Sequence, residues 1–251
     1  MILSPEKLNN IGVVILAAGK GTRLNCVDKP KVMCEIGGKP IVSYIVKVLN
    51  EVGFSKKQIM LVVGFKGEQV KEYFGDSVSY ALQSVQLGTA HAALTGIKEL
   101  EKKIKHVLVL GGDDSAFYTK KTLLDFIDKH IKNNSKLSLL SADVSAPSSL
   151  GRVVRHNSGE VEIIEKEYLT EEQKKIKEIS TGTFCFDRAW YESIYPKMPK
   201  LRKLGEYGLP TALAMARDQN KKYQIIKIKD NNEWFGINTD EELIEANNRL
   251  N

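Results

Sequence analysis

A glycine-rich, cationic segment lies near the N-terminus, directly after an apolar run. Residues 16–24 have the sequence Leu-Ala-Ala-Gly-Lys-Gly-Thr-Arg-Leu, and Lys31 follows in a Lys-Pro-Lys triplet. Gly19 and Gly21 let backbone N–H groups approach phosphate oxygens closely, because glycine has no Cβ. Arg23 can bind two oxygens with its planar guanidinium, whereas Lys31 supplies a compact point charge. The segment therefore predicts a polyphosphate site.

Two common glycine-rich loops do not fit this segment. The dinucleotide-binding fingerprint needs a third glycine or alanine where Leu24 stands. The phosphate loop of many NTPases ends in Gly-Lys-Ser/Thr, and Gly19-Lys20-Gly21-Thr22 does not supply that ending. A plain strand-to-helix turn explains the glycines alone, but it does not explain the two cations.

Carboxylates follow a second apolar run. Asp113 and Asp114 come directly after residues 107–110 and Gly111-Gly112. One or two carboxylates together with substrate phosphates form the usual magnesium site, although aspartate is also common in solvated turns. Asn238, in Gly-Ile-Asn-Thr-Asp, could complete a metal shell or begin a helix as its N-cap. Gly-Asp-Asp also occurs in template-directed polymerases, which need a larger chain.

A further polar segment lies between a predicted strand and a predicted helix. Gln83 and residues 86–92, Gln-Leu-Gly-Thr-Ala-His-Ala, combine an amide with a glycine that permits close approach. A glutamine amide donates and accepts, so it can bind the edge of a pyrimidine. Thr89 also suits a helix N-cap, and a structural role is favoured for His91.

Composition is that of a globular protein, with 42% hydrophobic and 27% charged residues among 251. The net charge of +6 comes from lysine doublets scattered near acids, and aromatics are not interleaved with them, so no nucleic-acid partner is expected. No apolar stretch is long enough to span a membrane and no secretory leader is present, so no membrane partner is expected either. Three cysteines, one of them left over from any pairing, favour unpaired thiols and a cytoplasmic location.

The elements that must position these residues alternate between strand and helix up to about residue 145. Apolar runs predict strands at 13–17, 58–63, 77–82, 107–110 and 137–144. Helical spacing predicts helices at 41–52, 67–74, 89–103 and 119–133. This order predicts an α/β fold with a mostly parallel sheet flanked by helices, in which ligands bind at the carboxyl ends of the strands.

From residue 145 the pattern changes, and the later region is expected to form a small substrate lobe over the same sheet. A hairpin is predicted around residues 153–164, and strands at 182–187 and 223–228. Helices are expected at 190–195, at 210–217 and from 240 onwards. No long linker divides the chain, so residues 1–251 are predicted to be one domain, with a nucleotide-binding half at about 10–145 and a sugar-binding half at about 146–251.

Taken together, these segments resemble the sugar nucleotidyltransferases, and among them the N-terminal uridyltransferase domain of the N-acetylglucosamine-1-phosphate uridyltransferases. The resemblance covers nearly the whole chain and implies a Rossmann-like fold of the nucleotide-diphospho-sugar transferase type. It also implies a Mg²⁺-dependent reaction of UTP with a sugar 1-phosphate that forms a UDP-sugar and pyrophosphate. The implied catalytic residues are Arg23, Lys31 and Asp113, and the implied metal ligands are Asp113 and Asn238. The implied nucleotide-binding residues are Leu16, Ala17, Ala18, Gly19, Lys20, Gly21, Gln83, Gln86, Gly88 and Thr89. The implied sugar-binding residues are Gly151, Glu165 and Ser180.

Departures from the family pattern fall mostly on the acceptor side. Ser180 replaces an asparagine of the family, Gly111 a tyrosine and Ser115 a proline. The nucleotide half is therefore better defined than the sugar. Three alternatives stay open: a non-catalytic nucleotide-sugar-binding regulator, another sugar, or another base supplied by dTTP or CTP.

Overall fold

The computed structural model describes residues 4–21, 24, 26, 28–145, 147, 150–157, 159–201 and 205–250. Within them a nine-stranded mixed sheet has the order β11-β7-β10-β6-β1-β4-β5, and β8 and β9 form a hairpin that pairs with β10. A small ribbon of β2 and β3 lies apart from this sheet. The strands are β1 Ile11–Ala17, β2 Glu35–Ile36, β3 Lys39–Pro40, β4 Ile59–Val63, β5 Ser79–Leu82, β6 His106–Gly111, β7 Leu137–Asp143, β8 Arg152–Arg155, β9 Val161–Ile164, β10 Glu178–Asp187 and β11 Tyr223–Lys227.

The α-helices lie between these strands in the chain. They are α1 Pro5–Asn9, α2 Ile41–Val52, α3 Gly67–Phe74, α4 Thr89–Glu99, α5 Lys120–Lys132, α6 Glu171–Lys174, α7 Arg188–Ile194, α8 Thr211–Asp218 and α9 Asp240–Asn248. Apolar residues of α2 and α5 pack in one cluster with β1 and β4, whereas residues of α4, α7 and α8 belong to a second cluster. Since these two clusters involve different side chains of the same strands, the central strands are buried on both faces.

Sheet topology decides which residues can meet. β1 pairs in parallel with β4 and β6, and β4 with β5, so these four strands end at the same edge of the sheet. β10 runs antiparallel to β6, which brings the beginning of β10 to that same edge. The segments that follow β1, β5 and β6 are therefore neighbours of the first residues of β10 and of the hairpin paired with it.

Most predicted elements are present, and the differences have local causes. α4 ends at Glu99 rather than at residue 103, because Leu100 leaves the helix in an extended conformation and is itself buried. β10 begins at Glu178, earlier than predicted, and its register with β7 shifts between Ser180 and Phe184. Gly182, with φ +76°, lies in that irregular stretch. Two short helices, α1 and α6, and the two strands of the β2–β3 ribbon were not predicted.

The expectation of unpaired cysteines is wrong for two of the three. Cys26 and Cys34 form a disulfide with their Cα atoms 6.2 Å apart, and Cys185 is a buried free thiol. The bridge encloses the segment that carries Lys31, so it closes a short loop beside the predicted phosphate site. No helix among the described residues combines the length and apolarity needed to span a membrane.

Candidate active site

A cavity of about 560 Å³ lies at the edge where the four parallel strands end. It is lined by polar and glycine residues together with an apolar patch that includes Phe184 and Trp234. Of the residues predicted from sequence, those on its wall are Leu16, Ala18, Gly19, Lys31, Gln83, Gln86, Gly88, Thr89, Asp113, Gly151, Glu165 and Ser180. Ala17 is buried in the core instead, and Lys20 is exposed. Arg23 lies outside the described residues.

The glycine-rich segment is held from two sides. The Gln86 amide Nε2 donates to the carbonyl of Ala18 at 2.6 Å, which joins the end of β1 to the segment before α4. Gly21 has φ +66°, and a Cβ built there would lie 2.5 Å from the Cβ of Lys31. Glycine is therefore required at position 21 for its conformation and for the close approach of the lysine.

Lys31 connects three distant parts of the sequence. Its ammonium Nζ donates to Asp113 Oδ2 and, at 2.8 Å, to Asn238 Oδ1. The Lys31 side chain is only 12% exposed, so this charge is largely shielded from water. Asp113 lies in the turn after β6, and its carbonyl accepts from the backbone N–H of Ile237, which holds Asn238 beside it. The N-cap of α9 is Thr239, so the side chain of Asn238 is not needed for capping.

This arrangement fits a cation-binding role for Asp113 and Asn238. The ammonium of Lys31 lies between a carboxylate oxygen and an amide oxygen, and both oxygens are hard ligands of the kind that Mg²⁺ binds. A cluster of three or more acidic, histidine or cysteine side chains suited to a metal is absent from the described part of the chain. A metal at this place would therefore depend on substrate phosphates for further ligands.

Gln83 lines the same cavity and lies directly after β5. It is 5% exposed, and its Nε2 contacts the carbonyl of Gly88 at 3.3 Å and Nδ1 of His91 at 3.0 Å. Burial, and secondarily the charge of Lys98, lower the pKa of His91, so the imidazole is neutral near pH 7 and can accept at Nδ1. Both amide hydrogens of Gln83 are thus used, which leaves its oxygen as an acceptor for a ligand.

Thr89 has a different role from the one that its position suggested. The N-cap of α4 is Gly88, and Thr89 is the first helical residue. Its hydroxyl accepts from the backbone N–H of Leu209 at 3.0 Å, and the carbonyl of Tyr207 accepts from Ala90 N at 2.8 Å. These bonds attach residues 205–209 to the start of α4, so Thr89 anchors a wall of the cavity.

The predicted sugar-binding residues lie on the side of β10. Gly151 and Glu165 flank the β8–β9 hairpin, and a Cβ built at Gly151 would lie 3.2 Å from Glu165 Oε2. Burial, reinforced by the charge of Glu167, raises the pKa of Glu165. Ser180 stands two residues before Gly182 in β10 and lines the same cavity. The structure thus brings all three together.

Several cavity residues were not selected from sequence as binding residues. Trp234 donates from its indole N–H to the carbonyl of Thr181 at 3.1 Å, which places a ring against the irregular stretch of β10. Glu206, Phe184 and Asp114 also line the cavity. Beside Asp113 the sequence also offers Asp114 as a metal ligand, and no signal in one sequence separates a lining carboxylate from a solvated one.

The candidate residues follow the order of the strands. Across the sheet from β5 through β1 and β6 to β10, one meets Gln83, Gly19, Asp113 and Ser180 in turn. The glutamine amide, the glycine segment with Lys31, and the residues of β10 therefore follow one another along this edge of the sheet.

Comparison with known proteins gives a consistent result. The family model described as Nucleotidyl transferase matches residues 12–251. The bifunctional protein GlmU of Acetivibrio thermocellus is 36% identical over 234 residues, which are 93% of this chain and 50% of that protein. GlmU of Thermoanaerobacter pseudethanolicus is 35% identical over 240 residues, 95% of this chain and 51% of that protein. The chain thus spans about half the length of these relatives.

A solved structure supports the fold. A protein from Bacillus anthracis, described as a glucose-1-phosphate thymidylyltransferase and crystallised with sucrose, superposes with a TM-score of 0.76. The match covers 95% of this chain and 94% of the other, at 21% sequence identity. At that identity the likeness defines the fold alone, and it agrees with the predicted mostly parallel sheet flanked by helices. With the family model matched over nearly its whole length, this chain belongs to the nucleotidyl transferase family.

Proposed function

We propose that this chain transfers a uridylyl group from UTP to a sugar 1-phosphate, N-acetylglucosamine 1-phosphate first among them, and releases pyrophosphate. One observation carries the proposal: Gln83, Lys31, Asp113, Glu165 and Ser180 line a single cavity, and Lys31 also contacts Asn238. The uridylyl group and the amino sugar come from the resemblance of the sequence to the N-acetylglucosamine-1-phosphate uridyltransferases, and the similarity to GlmU proteins supports the nucleotidyl transferase class.

The chemistry is a direct displacement. An oxygen of the sugar phosphate attacks the α-phosphorus of UTP, and the bond from that phosphorus to the oxygen bridging to the β-phosphate breaks. The attacking phosphate is already an anion, so no general base is required. The barrier lies in bringing two anions together and in stabilising the charge on the departing pyrophosphate.

Lys31, and Arg23 with it, are proposed to supply that stabilisation. In the described structure Lys31 lies on Asp113 and Asn238, and when those two oxygens bind Mg²⁺ its ammonium is proposed to move to the phosphates. Mg²⁺ held by Asp113 and Asn238 would, when bound, neutralise phosphate charge. The backbone of Ala18 and Gly19 lies on the cavity wall beside this lysine and is proposed to bind the same phosphates.

The base assignment follows from the hydrogen-bonding state of Gln83. With its amide nitrogen on Gly88 and His91, Gln83 is proposed to accept from the ligand through its oxygen, which would suit the N3–H donor of uracil or thymine, whereas cytosine has an acceptor at N3. UTP and dTTP both satisfy this rule, so the thymidylyl alternative is decided only by assay. The cytoplasmic location stays a prediction, and the Cys26–Cys34 bridge removes the cysteine count as support for it.

Pyrophosphate release tests the proposal. The chain is incubated with Mg²⁺, each of UTP, dTTP and CTP, and a panel of hexose and N-acetylhexosamine 1-phosphates. We expect turnover with UTP and N-acetylglucosamine 1-phosphate. Asp113→Ala is expected to lose about a hundredfold or more in kcat, as is usual for a central electrostatic group.

The matched control is Asp76→Ala, an exposed aspartate before β5 at the opposite edge of the sheet, which should keep full activity. Binding of UDP-sugars without pyrophosphate release from any pair would show a regulator instead of an enzyme. Unchanged kcat in Asp113→Ala at saturating Mg²⁺ would remove Asp113 from the mechanism.

A further inference from the structure

Asp114 occupies a space that two glycines leave open. A Cβ built at Gly111 would lie 2.5 Å from Asp114 Oδ1, and one built at Gly182 would lie 3.0 Å from Oδ2. Gly111 ends β6, and Gly182 lies in the neighbouring strand β10. The carboxyl group is thus packed between two strands at the cavity wall, in a place that a side chain at position 111 would fill.

One oxygen of this carboxyl group has no partner. Asp114 Oδ1 is buried and makes no hydrogen bond within the described part of the chain. Polar side chains around it are already paired: Ser115 with the carbonyl of Gly111, Thr181 with the carbonyl of Leu140, Tyr118 with Thr183, and Lys31 with Asp113 and Asn238. Buried polar atoms are nearly always bonded, so an unpaired carboxyl oxygen on a ligand cavity calls for a donor from a ligand.

The location indicates which part of the ligand would supply that donor. Asp114 follows Asp113, which lies at the proposed phosphate position, and it touches Gly182, two residues beyond Ser180. Asp114 therefore lies between the residues proposed to bind the phosphates and the residues proposed to bind the acceptor sugar. The first ring atoms of a sugar 1-phosphate would occupy this interval.

We propose that Asp114 determines which acceptor sugar is used, by accepting a hydrogen bond from a hydroxyl or amino group of the sugar ring; this inference rests on the proposed function. A carboxyl oxygen that carries no proton only accepts, so the sugar must present a donor there. A sugar 1-phosphate without that donor would leave the carboxyl unpaired in the complex and would be rejected. The resembling family has a tyrosine at position 111, and a Cβ built there would meet the carboxyl group of Asp114.

The expected effect is selective. Leaving a buried hydrogen-bonding group unpaired corresponds to about a 10- to 100-fold change in kcat/KM. Asp114→Ala should lose this factor with the preferred sugar 1-phosphate, while the KM for UTP stays unchanged. Folding should be preserved, because the variant removes a buried unpaired carboxyl group.

The experiment pairs protein variants with substrate variants. Kinetics are measured for the native chain, Asp114→Ala, Asp114→Asn and the control Asp76→Ala. The substrates are the preferred sugar 1-phosphate, its monodeoxy analogues and the analogue with a free amine at carbon 2. We expect one deoxy analogue to be poor for the native chain yet as good as the parent sugar for Asp114→Ala.

The Asp114→Asn variant distinguishes a hydroxyl donor of the sugar from an ammonium donor. Asparagine keeps an acceptor oxygen, so it should restore part of the activity toward a hydroxyl donor and little toward an ammonium. An equal loss of kcat/KM in Asp114→Ala on every acceptor, or no loss at all, would overturn the proposal.

If the native chain releases no pyrophosphate, the proposed function fails by itself. Calorimetric titration of the native chain and of Asp114→Ala with UDP-sugars and their deoxy analogues then tests Asp114. If the two proteins bind each UDP-sugar with equal affinity, the proposed role of Asp114 is overturned.

Discussion

A buried histidine far from the cavity makes folding stability depend on pH. His130 of α5 is fully buried, its Nδ1 is 2.7 Å from the hydroxyl of Ser138, and its Nε2 has no partner among the described residues. Burial, with the neighbouring ring of His106 5.2 Å away, lowers the pKa of His130 to about 3. Asp187 opposes this shift and Lys136 adds to it.

The sign follows from proton linkage. The unfolded chain takes up a proton on this imidazole near pH 6.5, whereas the folded chain does so only near pH 3. The stability is therefore complete above pH 6.5 and is lost progressively as the pH falls from 6.5 toward 3. At pH 5 the two pKa values correspond to a loss of about 2 kcal/mol in the free energy of unfolding.

The perturbation is His130→Asn, which keeps a polar group near Ser138 but cannot titrate. We expect it to be less stable than the native chain at pH 7.5, because it leaves a cavity. That difference should shrink by about 2 kcal/mol at pH 5, where the native chain pays the protonation cost and the variant does not. Urea unfolding at pH 7.5, 6 and 5 measures both quantities.

Ser138→Ala serves as the control, since it alters the same contact but keeps the buried imidazole and hence the pH dependence. If His130→Asn and the native chain differ by the same free energy at pH 7.5 and at pH 5, the burial argument is refuted.

Three further predictions concern the cavity. Lys31→Met should lower kcat by about a hundredfold or more, because the charge beside Asp113 and Asn238 is lost. Pyrophosphate release at saturating UTP measures this, and an unchanged kcat would contradict it. His91→Leu should reduce the preference for UTP over CTP about tenfold, since the Gln83 amide is then free to rotate. The ratio of kcat/KM with UTP to kcat/KM with CTP measures this preference, and the same ratio in the variant and the native chain would exclude His91 as a positioning residue. Gly21→Ala should raise the KM for UTP and lower the melting temperature, because its φ of +66° and the nearby Lys31 Cβ oppose a side chain. Gly38→Ala is the control: Gly38 also has a positive φ but no neighbour within 4 Å, so this variant measures the cost of the backbone conformation alone.

The sequence alone predicted the main strands and helices, because their signals are local. The run that became β1 is apolar on both faces, as a strand covered by helices must be, and α2 has apolar residues at helical spacing followed by Gly53 as its cap. Short elements such as α6 escaped prediction, since four residues carry too little periodicity.

The chemical types of the site were also present in the sequence, but their meeting was not. Lys31 and Asn238 are 207 positions apart, and only the parallel pairing of β1 with β6 and the turn after β6 brings both to Asp113. The use of Thr89 as an anchor for residues 205–209 likewise depends on a contact that no spacing indicates.

The sequence by itself determined the fold class and the glycine-rich cationic segment, because each depends on neighbours within a few residues, and it predicted a polyphosphate ligand. The tertiary structure decided three things: that Lys31 lies between Asp113 and Asn238, that the Gln83 amide nitrogen contacts Gly88 and His91, and that Asp114 fits between Gly111 and Gly182. The physical reason is that hydrogen bonding and steric fit act over a few ångströms, and residues far apart in the chain reach that distance only when the sheet has formed.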